Sequence, residues 1–286
     1  MKKFLITLLL SPLTALAAGS YALYDYERDE FQVESNVREQ RPIASITKLF
    51  TAVMIDRSGV DLDEKVKVGG HSGGKVPRGT MMTRLDLMRA MLISSDNRAA
   101  ETLAETYPGG FNRFIKDVND YTQYMGLTNT HLVDSSGLLP GNVSTAQDLV
   151  KFLWRISENP VIRDIASERY ATLNVPGKTV KSKSKKKKKY ARTVRINLHN
   201  TNPSMFVFDN ILISKTGFTN PAKRCVVMLV EKNHQKYGIA ILGQLDVRAR
   251  SKIAQELITA DPLPKKPEPK KPEPKPILEL DFQYYQ

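Results

Sequence analysis

The sequence predicts an α+β fold: an antiparallel sheet of about five strands, flanked by helices, with a mainly helical subdomain inserted. Three observations predict it. Two strand-like runs open the folded part, a long stretch with apolar residues at helical spacing follows, and three more strand-like runs precede a last helix. A sheet completed by both ends of one domain leaves a cleft where the inserted helices meet it, which is the natural place for a site.

Tyr21 to Tyr26 and Glu30 to Ser35 read as a β-hairpin around Arg28-Asp29. Ala44 to Asp56 carries Ile46, Leu49, Phe50, Val53 and Met54 at helical spacing and ends near Gly59. A second helix opens at Thr83, a third spans Asn97 to Thr106, and a fourth Gly110 to Met125. Ser144-Thr145-Ala146-Gln147 reads as a capping box before the helix through Leu149, Phe152, Leu153 and Ile156, with Trp154 in the core or on a partly buried face. Asn210 to Lys215, Arg224 to Glu231 and Tyr237 to Gly243 read as strands, with Asn233-His234 as a turn. Ser251 to Ile258 reads as the last helix.

The two ends differ from this body. Met1-Lys2-Lys3, the apolar run Phe4 to Leu10 and Ala15-Leu16-Ala17 have the order of a cleaved export signal, residues 1–18, too short to span a bilayer. The folded domain is expected over residues 19–260, in the periplasm and without a membrane span. Beyond it, residues 261–286 form a tail in which Lys-Lys-Pro-Glu-Pro occurs twice, a spacer composition. The net charge of +13 is concentrated: eight lysines lie between Lys178 and Lys189, and five more between Lys265 and Lys275. In an exported protein the expected contact of the Lys178–Lys189 loop is an anionic wall polymer or lipid surface, not nucleic acid. The single cysteine, Cys225, lies in an apolar run and reads as a buried thiol. The four histidines show no ligand spacing, so no metal and no cofactor are expected.

Three motifs carry chemistry: Ser45-Ile46-Thr47-Lys48, Ser95-Asp96-Asn97 and Lys215-Thr216-Gly217. In that order they describe an acyl-transfer site. The first two recur, as Ser182-Lys185, Ser184-Lys187 and Ser157-Glu158-Asn159, so context has to sort them. Ser45 begins an apolar helix, where free N–H groups favour developing negative charge. Lys48 follows one turn later and can take the serine's proton only if neutral, a state that burial and a second cation, Lys215, would favour. Ser95 joins two helices and can relay a proton. Asn97 can bind a substrate amide, with Asp96 as a supporting charge. Lys215 and Thr216 suit an anionic substrate end, Gly217 lets substrate backbone approach, and the N–H groups of Ser45 and Phe218 would form an oxyanion hole.

With these motifs the chain resembles the low-molecular-mass penicillin-binding proteins of the serine D-Ala-D-Ala peptidase family. The likeness is to periplasmic D-alanyl-D-alanine endopeptidases of the penicillin-binding protein 7 type. Residues 41–49, 97–100, 107–110 and 215–220 carry it, with Asp134-Ser135-Ser136-Gly137-Leu138 and Asn200-Thr201-Asn202. The resemblance covers about Tyr21 to Ile258 and implies the penicillin-binding protein/serine β-lactamase fold. It implies Ser45, Lys48 and Ser95 as catalytic residues, and Asn97, Lys215, Thr216, Gly217, Phe218 and Thr219 as substrate-binding. It further implies an arginine for the substrate carboxylate, Arg248, with Arg250 as the other choice. The implied substrate is peptidoglycan, and β-lactams are the implied covalent inhibitors. D-Ala-D-Ala carboxypeptidases share these residues but resemble this domain plus a C-terminal β-domain and amphipathic anchor, which do not follow Ile258. A class A β-lactamase also needs E-x-x-L-N, absent between Asn97 and Lys215. A wall-binding protein without activity is the reading outside the enzymes.

Overall fold

The computed structural model describes residues 19–176 and 193–261. The segment expected to be an export signal, the lysine tract and the tail past Asp261 lie outside the described residues. The chain begins with the hairpin β1 (Ser20–Asp25) and β2 (Glu30–Ser35), then β3 (Arg41–Pro42). A 3-10 turn at Ala44–Ile46 leads into α1 (Thr47–Arg57). The pair β4 (Lys65–Lys67) and β5 (Met81–Thr83) precedes α2 (Arg84–Ile93), α3 (Asn97–Glu105) and α4 (Gly110–Tyr124). Then come β6 (Val143–Ser144), which pairs with β3, α5 (Ala146–Ile156) and α6 (Pro160–Ala166). A two-stranded ladder of β7 (Tyr170–Pro176) and β8 (Thr193–His199) follows. The chain closes with β9 (Ile211–Thr219), β10 (Lys223–Lys232), β11 (Gln235–Gln244) and α7 (Val247–Thr259).

The five-stranded sheet has the order β2-β1-β11-β10-β9, antiparallel throughout, so both ends of the domain do complete one sheet. The strands β10 and β11 read as continuous apolar runs because both sheet faces are covered. Along β10, Cys225, Val227 and Leu229 join the core under α1 and α5, while Val226, Met228 and Val230 face Ile253, Ala254 and Leu257 of α7. Asn233 and His234 both have positive φ, 50° and 64°, as a two-residue hairpin turn between β10 and β11 requires.

The sequence expects α1 to be amphipathic, yet Thr47 to Ile55 are all buried. The helix packs against α2, α3, α4 and α6, and Phe50 stacks on Phe152 of α5 with ring centroids 3.8 Å apart. A helix surrounded on all sides is apolar on all sides. That setting puts Lys48 in the interior.

Other expectations shift by a residue or more. The cap of α5 is Thr145, whose hydroxyl accepts from Asp148 N at 3.0 Å, whereas Ser144 belongs to β6. The strand expected over Asn210 to Lys215 runs on to Thr219, so Lys215-Thr216-Gly217 lies within β9, because β10 pairs with β9 as far as Thr219. Ser157-Glu158-Asn159 joins α5 to α6, and Asn159 caps α6 by accepting from Ile162 N. Trp154 is exposed and stacks on Tyr26 at 4.7 Å.

Candidate active site

Ser45 sits in the 3-10 turn ahead of α1, against the edge strand β9. Its neighbour Ala44 is left-handed, φ 47°, a conformation that costs an alanine of order 1–3 kcal/mol and persists only where the surroundings impose it. Two glycines impose it. A Cβ on Gly217 would lie 2.7 Å from Ile43 O and 3.1 Å from Ser45 N. A Cβ on Gly137 would lie 1.9 Å from Ala44 O. Gly217 is thus needed for the protein's own backbone, where the sequence expects close approach of a substrate. Gly137 also has φ 81°, so Gly137→Ala combines backbone strain with a clash against carbonyl oxygen. We expect a stability loss of at least roughly 2 kcal/mol, and slower acylation of Ser45. Urea unfolding and penicillin labelling measure the two. Wild-type values for both would refute the bracing role.

Lys48 is completely buried. Its Nζ donates to Ser45 Oγ at 2.8 Å, to Asn97 Oδ1 at 2.7 Å and to the Ser136 carbonyl at 2.5 Å. Burial brings its pKa down to about 7, against the opposing pull of Asp134, Asp96 and Glu101. Lys215, which the sequence reading uses to help depress Lys48, takes that repulsion itself. It is driven well below the usual lysine range by burial, then by Lys48, then by Arg250. Two adjacent buried ammonium groups cannot both keep their protons without cost.

Ser95 occupies the turn after α2 with φ 60°, a position that glycine or asparagine fills more easily. There its Oγ accepts from Lys215 Nζ at 3.0 Å. Lys215 also donates to the Thr216 carbonyl at 3.0 Å. Asp96 is the cap of α3, accepting from Ala99 N at 2.9 Å, and it holds the loop before β5 through the Lys75 and Val76 amides. Its carboxylate therefore fixes the turn between Ser95 and Asn97.

The sequence pointed to no role for Asp134, Ser136 or Thr201. Asp134 accepts from Ser136 N at 2.7 Å, Leu139 N at 2.8 Å and Asn142 Nδ2 at 2.9 Å, and so shapes the loop that offers Lys48 a carbonyl. Thr201 Oγ1 lies 2.6 Å from Thr216 Oγ1. Asn202 Nδ2 donates to Ser214 Oγ at 2.8 Å, anchoring the start of this segment on β9. These residues lie in the two segments that carry the resemblance, and that was their only signal.

The remaining candidates separate. Phe218 is exposed at the end of β9, with the Arg224 guanidinium 3.7 Å from its ring centroid. Thr219 Oγ1 accepts from Ala222 N at 3.2 Å, so its hydroxyl serves the β9–β10 turn. Arg248 is exposed on the first turn of α7. Arg250, two residues on, is buried at 5 % exposure and close enough to depress Lys215. Helical periodicity explains the difference: residues two apart point to different sides of α7. Of the two arginines, the structure places Arg250 beside Lys215 and leaves Arg248 at the surface. Ser182 and Ser184 lie outside the described residues.

Comparison with known proteins agrees with this geometry. D-alanyl-D-alanine endopeptidase of Escherichia coli is 34% identical over 239 residues, 79% of this chain and 71% of that protein. The Pseudomonas aeruginosa protein of the same name is 34% identical over 238 residues, with the same coverage. Among solved structures, the Streptomyces K15 DD-transpeptidase superposes with a TM-score of 0.74 at 22% identity, over 85% of this chain and 95% of that one. Penicillin-binding protein D2 of Listeria monocytogenes, solved with cefotaxime bound, gives 0.69 at 26% identity, over 84% and 94%. The family model described as D-alanyl-D-alanine carboxypeptidase matches residues 9–245, and the chain belongs to this family of serine peptidases.

Proposed function

We propose that this serine DD-peptidase cuts D-alanyl peptide cross-links of peptidoglycan through an acyl-enzyme on Ser45. The observation that carries the proposal is the fully buried Lys48, 2.8 Å from Ser45 Oγ, with a pKa brought down to about 7. A lysine that titrates there is neutral for a large share of the time at physiological pH and serves as base. Ser45 Oγ attacks the D-Ala carbonyl as its proton passes to Lys48 Nζ. The backbone N–H groups of Ser45 and Phe218 hold the developing oxyanion. Ser95, hydrogen-bonded to Lys215, relays that proton from Lys48 to the departing amine, which leaves Lys48 neutral again. Water, activated by Lys48, then releases the acyl group and restores the serine. Asn97 binds the substrate amide, and its Nδ2 makes no hydrogen bond to a described residue. Lys215, Thr216 and Arg250 face the substrate's carboxylate end. A β-lactam acylates Ser45 by the same attack.

Cleavage of the cross-link, rather than removal of a terminal D-Ala, is favoured by relatives. Two of those named endopeptidase are 34% identical over 79% of the chain, whereas DacF carboxypeptidase of Bacillus subtilis is 25% identical over 82%. Incubation with defined muropeptides tests the choice. We expect cross-linked dimers to fall to monomers. Release of terminal D-Ala from pentapeptides with dimers untouched would make the protein a carboxypeptidase. The work would be done in the periplasm after export by residues 1–18, with Lys178–Lys189 holding the enzyme on anionic wall or lipid.

A further inference from the structure

A groove of about 370 Å³ lies where the end of α1 meets α4, and Arg57, Tyr107, Asp117, Asp120, Tyr121 and Tyr124 line it. Arg57 closes α1 and Ser45 precedes it, about 18 Å apart at the rise of a helix. The groove therefore takes no part in the reaction. Tyr124 is 83 % exposed, and its ring lies 19° from parallel to that of Tyr121, with centroids 6.2 Å apart. The two rings form an open platform on one side of α4. The Arg57 guanidinium lies 4.3 Å from the Tyr121 centroid and forms no ion pair among the described residues. Arg113 Nε donates to Asp117 Oδ1 at 2.7 Å, and Lys116 Nζ to Asp120 Oδ2 at 2.5 Å. These are exposed pairs one helical turn apart, which contribute little and exchange partners readily.

An aromatic groove edged by charges of both signs suits a proline-rich segment in polyproline II form, whose stiff backbone loses little freedom on binding. The chain carries such a segment. Pro264-Lys265-Lys266-Pro267 and Pro269-Lys270-Lys271-Pro272 repeat one P-x-x-P pattern, and Glu268 and Glu273 follow them. At three residues per turn, prolines three apart share a face, about 9 Å from each other. The root of the tail lies toward the same end of the molecule as the groove. Lys232 Nζ, at the end of β10, donates to the Ala260 carbonyl at 2.9 Å. Lys236, across the β10–β11 turn, pairs with Glu158, and Asn159 Nδ2 donates to Asp56 Oδ2, beside Arg57, at 2.7 Å. From Asp261 to Pro272 the chain reaches about 34 Å as a polyproline helix.

We propose that this groove docks the second P-x-x-P repeat of the protein's own tail. Pro269 and Pro272 rest on Tyr121 and Tyr124, and Glu273 meets the Arg57 guanidinium. Lys270 and Lys271 replace Arg113 and Lys116 at Asp117 and Asp120. The tail is thereby held on the helical subdomain and the cleft at Ser45 stays open. Docking is independent of the reaction carried out there.

A nitroxide attached at Lys275→Cys in the full chain tests the proposal by nuclear magnetic resonance. The native thiol, Cys225, is buried and does not take the label. The amide signals of Asp117 to Tyr124 should broaden. Broadening should fall at least about fivefold in Pro269→Ala/Pro272→Ala and in Tyr124→Ala, because both remove the ring contacts. It should persist in moderate salt, which screens charges but not stacked rings. Unchanged signals from the five-stranded sheet report that each variant is folded. No broadening of α4, broadening that survives loss of both prolines, or broadening that vanishes in moderate salt overturns the docking. Broadening of an isotope-labelled chain that lacks the nitroxide, mixed with a spin-labelled one, places the tail on a second copy and overturns docking within one chain.

Discussion

Ser45→Ala is expected to abolish covalent labelling by a fluorescent penicillin and to cut peptide hydrolysis by about a millionfold, the scale seen when a serine peptidase loses its nucleophile. The side chain lost is small, and the turn that holds it is fixed by backbone contacts with Gly137 and Gly217, so the variant should fold normally. Its association with isolated wall material should survive, and should weaken steeply between low and moderate salt if Lys178–Lys189 provides it. Gel fluorescence and co-sedimentation measure the two properties on the same sample. Labelling that survives the substitution would move the nucleophile elsewhere. Wall association indifferent to salt would remove the lysine tract from that role.

Lys48→Arg is expected to lower acylation by about a thousandfold, because it keeps a cation in the pocket but removes the group that can be neutral. The native protein should show the reason as a pH profile. Burial lowers Lys48 to about 7, so the neutral base is scarce below that pH and dominant above it. Acylation should rise with pH through about 7 and then level. A profile that is flat between about pH 5.5 and 9, or that rises only near the ordinary lysine range, would exclude Lys48 as the base. The arginine variant, with no neutral state to reach, should lose the rising limb.

The parts of this protein that the sequence made visible are those set by neighbours along the chain. Ser45 and Lys48 are one helical turn apart. The hydroxyl of Thr83 caps α2 three residues ahead of Asp86. Asn233-His234 turns β10 into β11. The repeated Ser157-Glu158-Asn159 precedes Pro160 in the sequence and joins α5 to α6 in the structure. Less was visible where a pattern is short or interrupted. The ladder β7–β8 escaped because its strands are split by the lysine tract, and β7 ends in a proline. Helix α6 escaped because seven residues hold too few turns to show a period.

The sequence by itself determined the chemistry on offer: a serine beside a lysine, a second serine with an asparagine, and a lysine on a strand. The tertiary structure decided how those groups behave. It buried Lys48 and Lys215 so that both lose affinity for protons. It turned Ser95 toward Lys215 and brought the Ser136 carbonyl from a distant loop. It buried Arg250 beside Lys215 while leaving Arg248 exposed, and it set an acid-walled cavity behind the Ser136 loop. Spacing fixes which side chains share a helical turn, whereas desolvation and through-space charge depend on what the rest of the chain packs against them.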